Sequence, residues 1–266
     1  MEYQIINAFT DKPFSGNPAG VCLPKTWPSM DTMQKIATEN NLSETAFVVK
    51  KENGLYGLRW FTPTLEIDLC GHATLASAYA LFNDREKDAQ ELKFDTASGI
   101  LTVTREDEYL CLNFPSALAA ECPIYTSIRK SLGIEPIAVF KSIDFLVLLE
   151  NEAALRRITP NFDVLMKLKA EAGLDHDKFG VIVTAPGEEC DFVSRYFAPH
   201  VGVPEDPVTG RAHCTLTPFW SMRLGKKIMD ARQLSARGGT LRCEDLGERV
   251  KISGKAVPYL KGNIEL

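Results

Sequence analysis

No apolar run in this chain of 266 residues approaches the roughly 20 that a membrane-spanning helix needs, which sets aside a helical membrane protein. Glycine-rich phosphate loops of the Gly-x-Gly-x-x-Gly or P-loop type are missing, so neither a dinucleotide fold nor a nucleotide-driven enzyme is written here. No Cys-x-x-Cys pair occurs among the seven cysteines, at 22, 70, 111, 122, 190, 214 and 243. Odd in number and scattered, they read as free thiols of a reducing cytoplasm rather than as a disulfide framework or zinc ribbon. Lys and Arg are nowhere concentrated, and 30 of them against 35 Asp and Glu leave a net charge of −5. Nucleic acid and membrane surfaces are therefore excluded as expected partners. The first nine residues lack the basic start and long apolar core of a signal peptide, and the expected location is the cytoplasm.

What is present is a core-forming chain, 45% apolar, with material for one large domain or two small ones. Its most informative stretch is Leu69-Cys70-Gly71-His72-Ala73-Thr74. A strand-like run from Leu58 to Leu69, carrying Pro63, breaks at Gly71, and His72 to Phe82 follows, small and apolar on nearly every face. That pattern predicts a helix buried all round. Its start would present unpaired backbone N–H groups and the positive dipole end to an anion or to a developing negative charge. A near copy stands at Asp206 to Cys214, and aligning Gly71 with Gly210 also aligns Ala73 with Ala212. Two similar halves, or chance likeness of two short segments, both account for it.

Elsewhere the pattern predicts strands at Tyr3–Phe9, Val21–Leu23, Thr45–Val49, Leu92–Asp95, Ile100–Thr104 and Tyr109–Phe114. Pro13–Gly20 is expected as a loop, and Asp31–Asn40 as an amphipathic helix capped by Ser29 or Asp31. Pro115–Pro123 is the candidate linker. Beyond it come a helix at Tyr125–Leu132 ended by Gly133, strands at Val139–Lys141 and Phe145–Leu149, a helix at Asn161–Gly173, and strands at Gly180–Thr184 and Phe192–Phe197. After the second junction, short strands are expected at Gln233–Ala236, Thr240–Cys243, Val250–Ile252 and Val257–Leu260. Mixed strands and helices without regular alternation indicate an α+β chain. The division is about 1–117, with a strand near 255–266 returning to it, and about 118–254.

Three residues carry the chemistry best. Glu44 opens a strand, where a turn can aim a carboxylate, although a solvated turn glutamate is the commoner case. His72 lies in the first helical turn, where the dipole lowers its pKa and leaves an imidazole able to relay a proton, or simply caps the helix. Asp206 precedes Pro207 and the second helix start, the position of an ordinary turn aspartate too. Together they equip a site to move a proton at carbon while holding an enolate-like charge. Cys70 reads as a thiol activated by the helix start or as a small packing residue. A four-ligand zinc site from Cys70, His72, His213 and Cys214 is disfavoured, because side chains two apart on an entering helix diverge.

At these residues the chain resembles the PhzF family, named for the phenazine-biosynthesis isomerase, and the wider diaminopimelate epimerase-like fold. The carrying segments are Asn7-Ala8-Phe9-Thr10, Phe14-Ser15-Gly16-Asn17-Pro18, Asn41-Leu42-Ser43-Glu44-Thr45, Phe61-Thr62-Pro63 through Thr74, and Glu205 to Gly210. The resemblance implies two pseudo-symmetric domains, each a mixed sheet around a central helix, with the active site in the cleft between them, a homodimer and no cofactor or metal. It places the family's proton-shuttling glutamate on Glu44, its histidine on His72 and its aspartate on Asp206. The substrate would then meet Gly71, Ala73, Thr209, Gly210 and Arg211. The cysteine pair of related epimerases would fall on Cys70 and Thr209, so only one is kept. Where the family usually has serine, this chain has Arg211, expected either to clamp a substrate carboxylate or to swing into solvent. The expected function is a cofactor-independent isomerase of a small carboxylate; a racemase or epimerase, and an inactive dimeric binding or scaffold protein, are the alternatives.

Overall fold

A computed structural model describes residues 1–52 and 54–266. The chain forms two compact units, one of Met1–Phe114 with Lys251–Leu266 and one of Pro115–Val250. Strands and helices are mixed throughout, as an α+β chain requires.

In the first unit, strand Glu2–Ala8 pairs antiparallel with Asn17–Leu23 on one side and with the C-terminal strand Ala256–Asn263 on the other. Asn17–Leu23 runs parallel to Glu44–Lys50, which pairs antiparallel with Tyr56–Phe61. The strands pack round the first central helix, Gly71–Asp84, in which only Tyr79 and the last two residues are not buried. Thr74 and Ser77 are tolerated in that core because their hydroxyls donate to the carbonyls of Cys70 and Ala73, at 2.5 and 2.7 Å. Helix Met30–Asn40 sets Met33, Ile36 and Ala37 against Tyr3, Cys22, Phe47 and Phe61. Of the two expected caps it uses Ser29, whose hydroxyl accepts from Thr32 N–H.

Two expectations here are corrected. The supposed loop over Pro13–Gly20 is already strand from Asn17, because Pro18 sits opposite Asn7 in an unbroken ladder. The run Leu58–Leu69 stops at Phe61. Thr62 then turns the chain, its hydroxyl accepting from Thr64 and Leu65 N–H, and only Glu66–Ile67 pairs back.

The second unit repeats the plan around a second central helix, Gly210–Leu224, buried from Gly210 to Ser221 apart from Arg211. Strands Phe145–Leu148, Val181–Pro186 and Phe192–Ala198 supply Phe145, Val147, Val181, Val183 and Phe197 to a core completed by helix Thr126–Leu132 and its neighbours. Gly133 ends that helix in the left-handed conformation, φ 64°. The candidate linker contains strand Ala120–Cys122, paired with Ala138–Lys141. The helix expected over Asn161–Gly173 is two short pieces, Phe162–Leu165 and Leu168–Glu171. Glu152–Arg156 is a further helix, started by Asn151 accepting from Ala154 N–H at 2.8 Å. The strand expected at Gln233–Ala236 lies instead at Ile228–Gln233, where Met229, Ala231 and Gln233 face inward in alternation.

Candidate functional site

Both central helices begin the same way. Cys70 (φ −142°, ψ 111°) and Thr209 (φ −113°, ψ 101°) are extended residues at the N-cap, and neither side chain caps its helix. Gly71 and Gly210 are the first helical residues. Each start therefore leaves first-turn amides without intrahelical acceptors.

At the first start, Glu44 is the opening residue of its strand, in parallel register with Ala19. This brings its carboxylate to His72, with Oε2 and Nε2 3.1 Å apart. The approach lacks the alignment of a hydrogen bond, and both atoms are buried without a hydrogen-bond partner among the described residues. On the other edge of the imidazole, Nδ1 lies 3.2 Å from Asn17 Nδ2 and 3.5 Å from Cys70 Sγ. Ala73 is fully buried, and its backbone bond helps to hold the Cys70 sulfur.

The electrostatics decide one open expectation, in favour of Cys70 as a packing residue, and reverse another. Burial, with the Glu44 charge beside it, pushes the Cys70 thiol up to about 11, so the helix start does not activate it. Burial opposes a charge on His72, yet Cys70 and Glu44 outweigh it and lift the imidazole well above its ordinary value rather than below it.

One donor atom from each of Glu44, Cys70 and His72 lies within 4.8 Å of the other two. Cys70 and His72 thus converge, because the extended N-cap turns the thiol back under the first helical turn. His213 and Cys214 join no such group among the described residues.

At the second start, Asp206 ends strand Val203–Asp206 and is buried. Its Oδ2 accepts from Thr209 Oγ1 at 2.5 Å. Gln233, wholly buried, locks this turn: its amide donates to Asp206 O at 2.7 Å and Thr209 Oγ1 at 3.1 Å, while Oε1 accepts from Thr209 N at 2.9 Å. Sequence reasoning missed Gln233. Its signal was an amide at a core-facing place in an alternating strand.

Arg211 does not swing into solvent but is anchored to a buried acid. Its Nε and one terminal nitrogen donate to Asp144 at 3.2 and 2.8 Å, and the same terminal nitrogen reaches Lys178 O. Asp144, also missed, is 1% exposed and further accepts from Gly180 N–H and Tyr196 O–H. Burial raises its pKa against the opposing pull of Arg211. One turn into the helix, His213 Nδ1 donates to Thr209 O at 2.8 Å and burial drives its pKa to about 4.

The chain's likenesses agree with this picture. The PhzC/PhzF phenazine biosynthesis-like protein profile matches residues 6–262. An uncharacterized isomerase of Pseudomonas aeruginosa is 49% identical, the match covering 100% of this chain and 99% of the relative. The crystal structure of a phenazine biosynthesis protein of the PhzF family from Enterococcus faecalis superposes with TM-score 0.93 at 44% identity, over 100% of both chains. A hydroxyproline epimerase from Agrobacterium vitis shares the fold, with TM-score 0.64 at 11% identity over 98% of this chain and 91% of that one.

Proposed function

The chain belongs to the PhzC/PhzF phenazine biosynthesis-like family, and on that premise we propose that it is a cofactor-independent isomerase that moves a proton on a small carboxylate-bearing molecule. The observation that carries this reading is the buried pair beside the first helix start, Glu44 and His72, with Oε2 and Nε2 3.1 Å apart. In this reading Glu44 takes the proton from carbon and returns it, and His72, beside it, orients the substrate and tunes the proton. The first-turn amides at Gly71 and Ala73 hold the charge that develops.

Asp206, fixed by Thr209 and Gln233, is the second orienting group, and Gly210 opens the other helix start. On that side the Gly210 amide and Arg211, anchored by Asp144, take the substrate-binding role, with Thr209 lining it; the Thr209 amide itself is held by Gln233. The epimerase alternative would place a base at each helix start, but Thr209 stands where Cys70 has its counterpart, and its hydroxyl is already given to Asp206. As the family relationship implies, the working form is taken to be a cytoplasmic homodimer.

The test is a panel of small carboxylates incubated in heavy water, with deuterium uptake read by mass. Uptake accompanied by a shifted double bond is expected, and Glu44→Gln should lower its rate by roughly 10²- to 10⁴-fold, the usual worth of a positioned acid or base. Turnover at the unmodified rate in that variant would remove Glu44 from the mechanism.

A further inference from the structure

Around the His72 ring, the first unit sets three side chains from three stretches of chain. Glu44 Oε2 faces Nε2 at 3.1 Å, while Asn17 Nδ2 and Cys70 Sγ face Nδ1 at 3.2 and 3.5 Å. Asn17 is held there by its neighbours in sequence. Gly16 takes φ 70°, a left-handed conformation that side chains disfavour, and a Cβ on it would lie 2.3 Å from Ala8 O. Pro18 confines the residue before it to extended backbone, and Asn17 accordingly opens its strand opposite Ala8. Side chains two apart on a strand share a face, so Asn17 points the same way as Ala19, which pairs in parallel register with Glu44. The sheet thereby delivers an amide and a carboxylate to opposite edges of one imidazole, and Asn17 has no exposure to solvent.

We propose that Asn17 is a positioning residue for His72: its amide donates to Nδ1, so that the neutral ring keeps its proton on Nε2, against Glu44, and Nδ1 is the nitrogen that gains and loses a proton. In a neutral imidazole one nitrogen donates and the other accepts, and the partner of one decides the state of the other. An amide N–H at Nδ1 and an acceptor-only carboxylate at Nε2 require the same tautomer. The thiol is a weaker partner than the amide, and it sits farther from the ring. When the ring takes a second proton Nδ1 becomes a donor, and the amide serves it by turning its oxygen inward. Nε2 is protonated in both states.

The titratable groups that face the ring are Cys70, at the helix N-cap, and Glu44, on the neighbouring strand; both favour the charged ring, and burial opposes it. Asn17 carries no charge, so it selects a nitrogen without adding to that balance. The consequence for catalysis rests on the reading of Glu44 above; the tautomer itself does not. A proton that Glu44 takes from carbon meets an Nε2 that already carries one, so it stays on the carboxyl. The O–H bond formed as the C–H bond breaks is then the one that breaks when the proton returns to carbon.

The experiment is a pH titration of the full chain, ¹⁵N-labelled in its histidines and free of substrate, read by correlating ring nitrogens with ring C–H protons. The bare nitrogen of a neutral imidazole resonates well downfield of the protonated one, and the His72 signals are those missing from His72→Gln. Glu44→Gln removes the carboxylate that helps to hold the ring charged. Its amide can donate or accept, which leaves the Nδ1 side to decide. As the pH rises, this variant is expected to move Nδ1 downfield and leave Nε2 in place. Asn17→Asp combined with Glu44→Gln sets an acceptor at Nδ1, and the pattern should invert, with Nε2 moving. Cys70→Ala combined with Glu44→Gln separates thiol from amide and should keep Nδ1 as the moving nitrogen; it decides the matter even where the aspartate variant does not fold. Movement of Nε2 in Glu44→Gln, a ring protonated on both nitrogens up to the alkaline limit of the folded protein, no inversion with Asn17→Asp, or inversion with Cys70→Ala would each overturn the assignment. Unchanged turnover in Glu44→Gln would instead end the isomerase reading and leave the tautomer standing.

Discussion

His213 shows what a single buried ring costs. It has no exposure, its Nδ1 proton is given to Thr209 O, and Nε2 has no partner among the described residues. A proton added at Nε2 would be a charge in the core, and burial accordingly drives the pKa to about 4 from an ordinary 6.5. The sign follows from linkage. Between those values the unfolded chain binds the proton and the folded one does not, so folding stability rises with pH across that window. His213 should therefore cost about 3 kcal/mol at pH 4 relative to pH 7. Urea unfolding midpoints measured from pH 4 to pH 7 should show it, and His213→Gln should flatten the slope relative to the unmodified protein. Glu44, His72 and Asp206 were legible in the chain as residues at element boundaries. The protonation of His72 and Cys70 was not, because burial and neighbouring groups set it, and both moved opposite to what a helix start alone would impose.

Between elements, the second helix start depends on a strand more than twenty residues later. Gln233 ends strand Ile228–Gln233 and ties the end of Val203–Asp206 to the N-cap of the second central helix. In Gln233→Leu the Thr209 N–H and Asp206 carbonyl lose their partners inside the core. At about 1–3 kcal/mol for each of the two unsatisfied groups, the variant should be destabilised by roughly 2–6 kcal/mol. Chemical denaturation should register this as a lower midpoint with an unchanged slope. Gln233→Glu keeps an acceptor for Thr209 N–H and should lose less. The periodicity of the chain was enough to find both central helices, for their apolar character is local. It placed the strand around Gln233 five residues too far on, because the inward polar residue broke the apolar count that marks a strand face. The missing partner of Arg211 has the same origin: Asp144 sits in a turn between two strands, far away in sequence, and only folding makes it the buried counter-charge.

Across the whole chain, the N-terminal strand is completed by the last residues. Glu2–Ala8 pairs with Ala256–Asn263 along its entire length, the N-terminal ammonium donates to Ile264 O at 2.7 Å, and Thr10 N–H donates to Lys255 O. Removing residues 255–266 would strip that ladder and open Tyr3, Ile6 and Ala8 of the first unit to solvent. The truncated protein should melt roughly 10 °C or more below the full chain, or fail to accumulate in soluble form, as thermal unfolding and expression yield would show. A melting point equal to that of the full chain would mean that the strand is dispensable. Among the described residues no helix is long and apolar enough to cross a membrane, in line with the composition. The chain by itself determined the α+β character, the two glycine-broken helix starts, the acid, imidazole and carboxylate beside them, and the family. These are properties of local pattern, written where they act. Only the tertiary structure decided that Cys70 turns back onto His72, that Arg211 answers to Asp144, that Gln233 fixes Asp206, and which groups keep their protons. Each of those depends on partners brought from elsewhere in the chain and on the water that their meeting excludes.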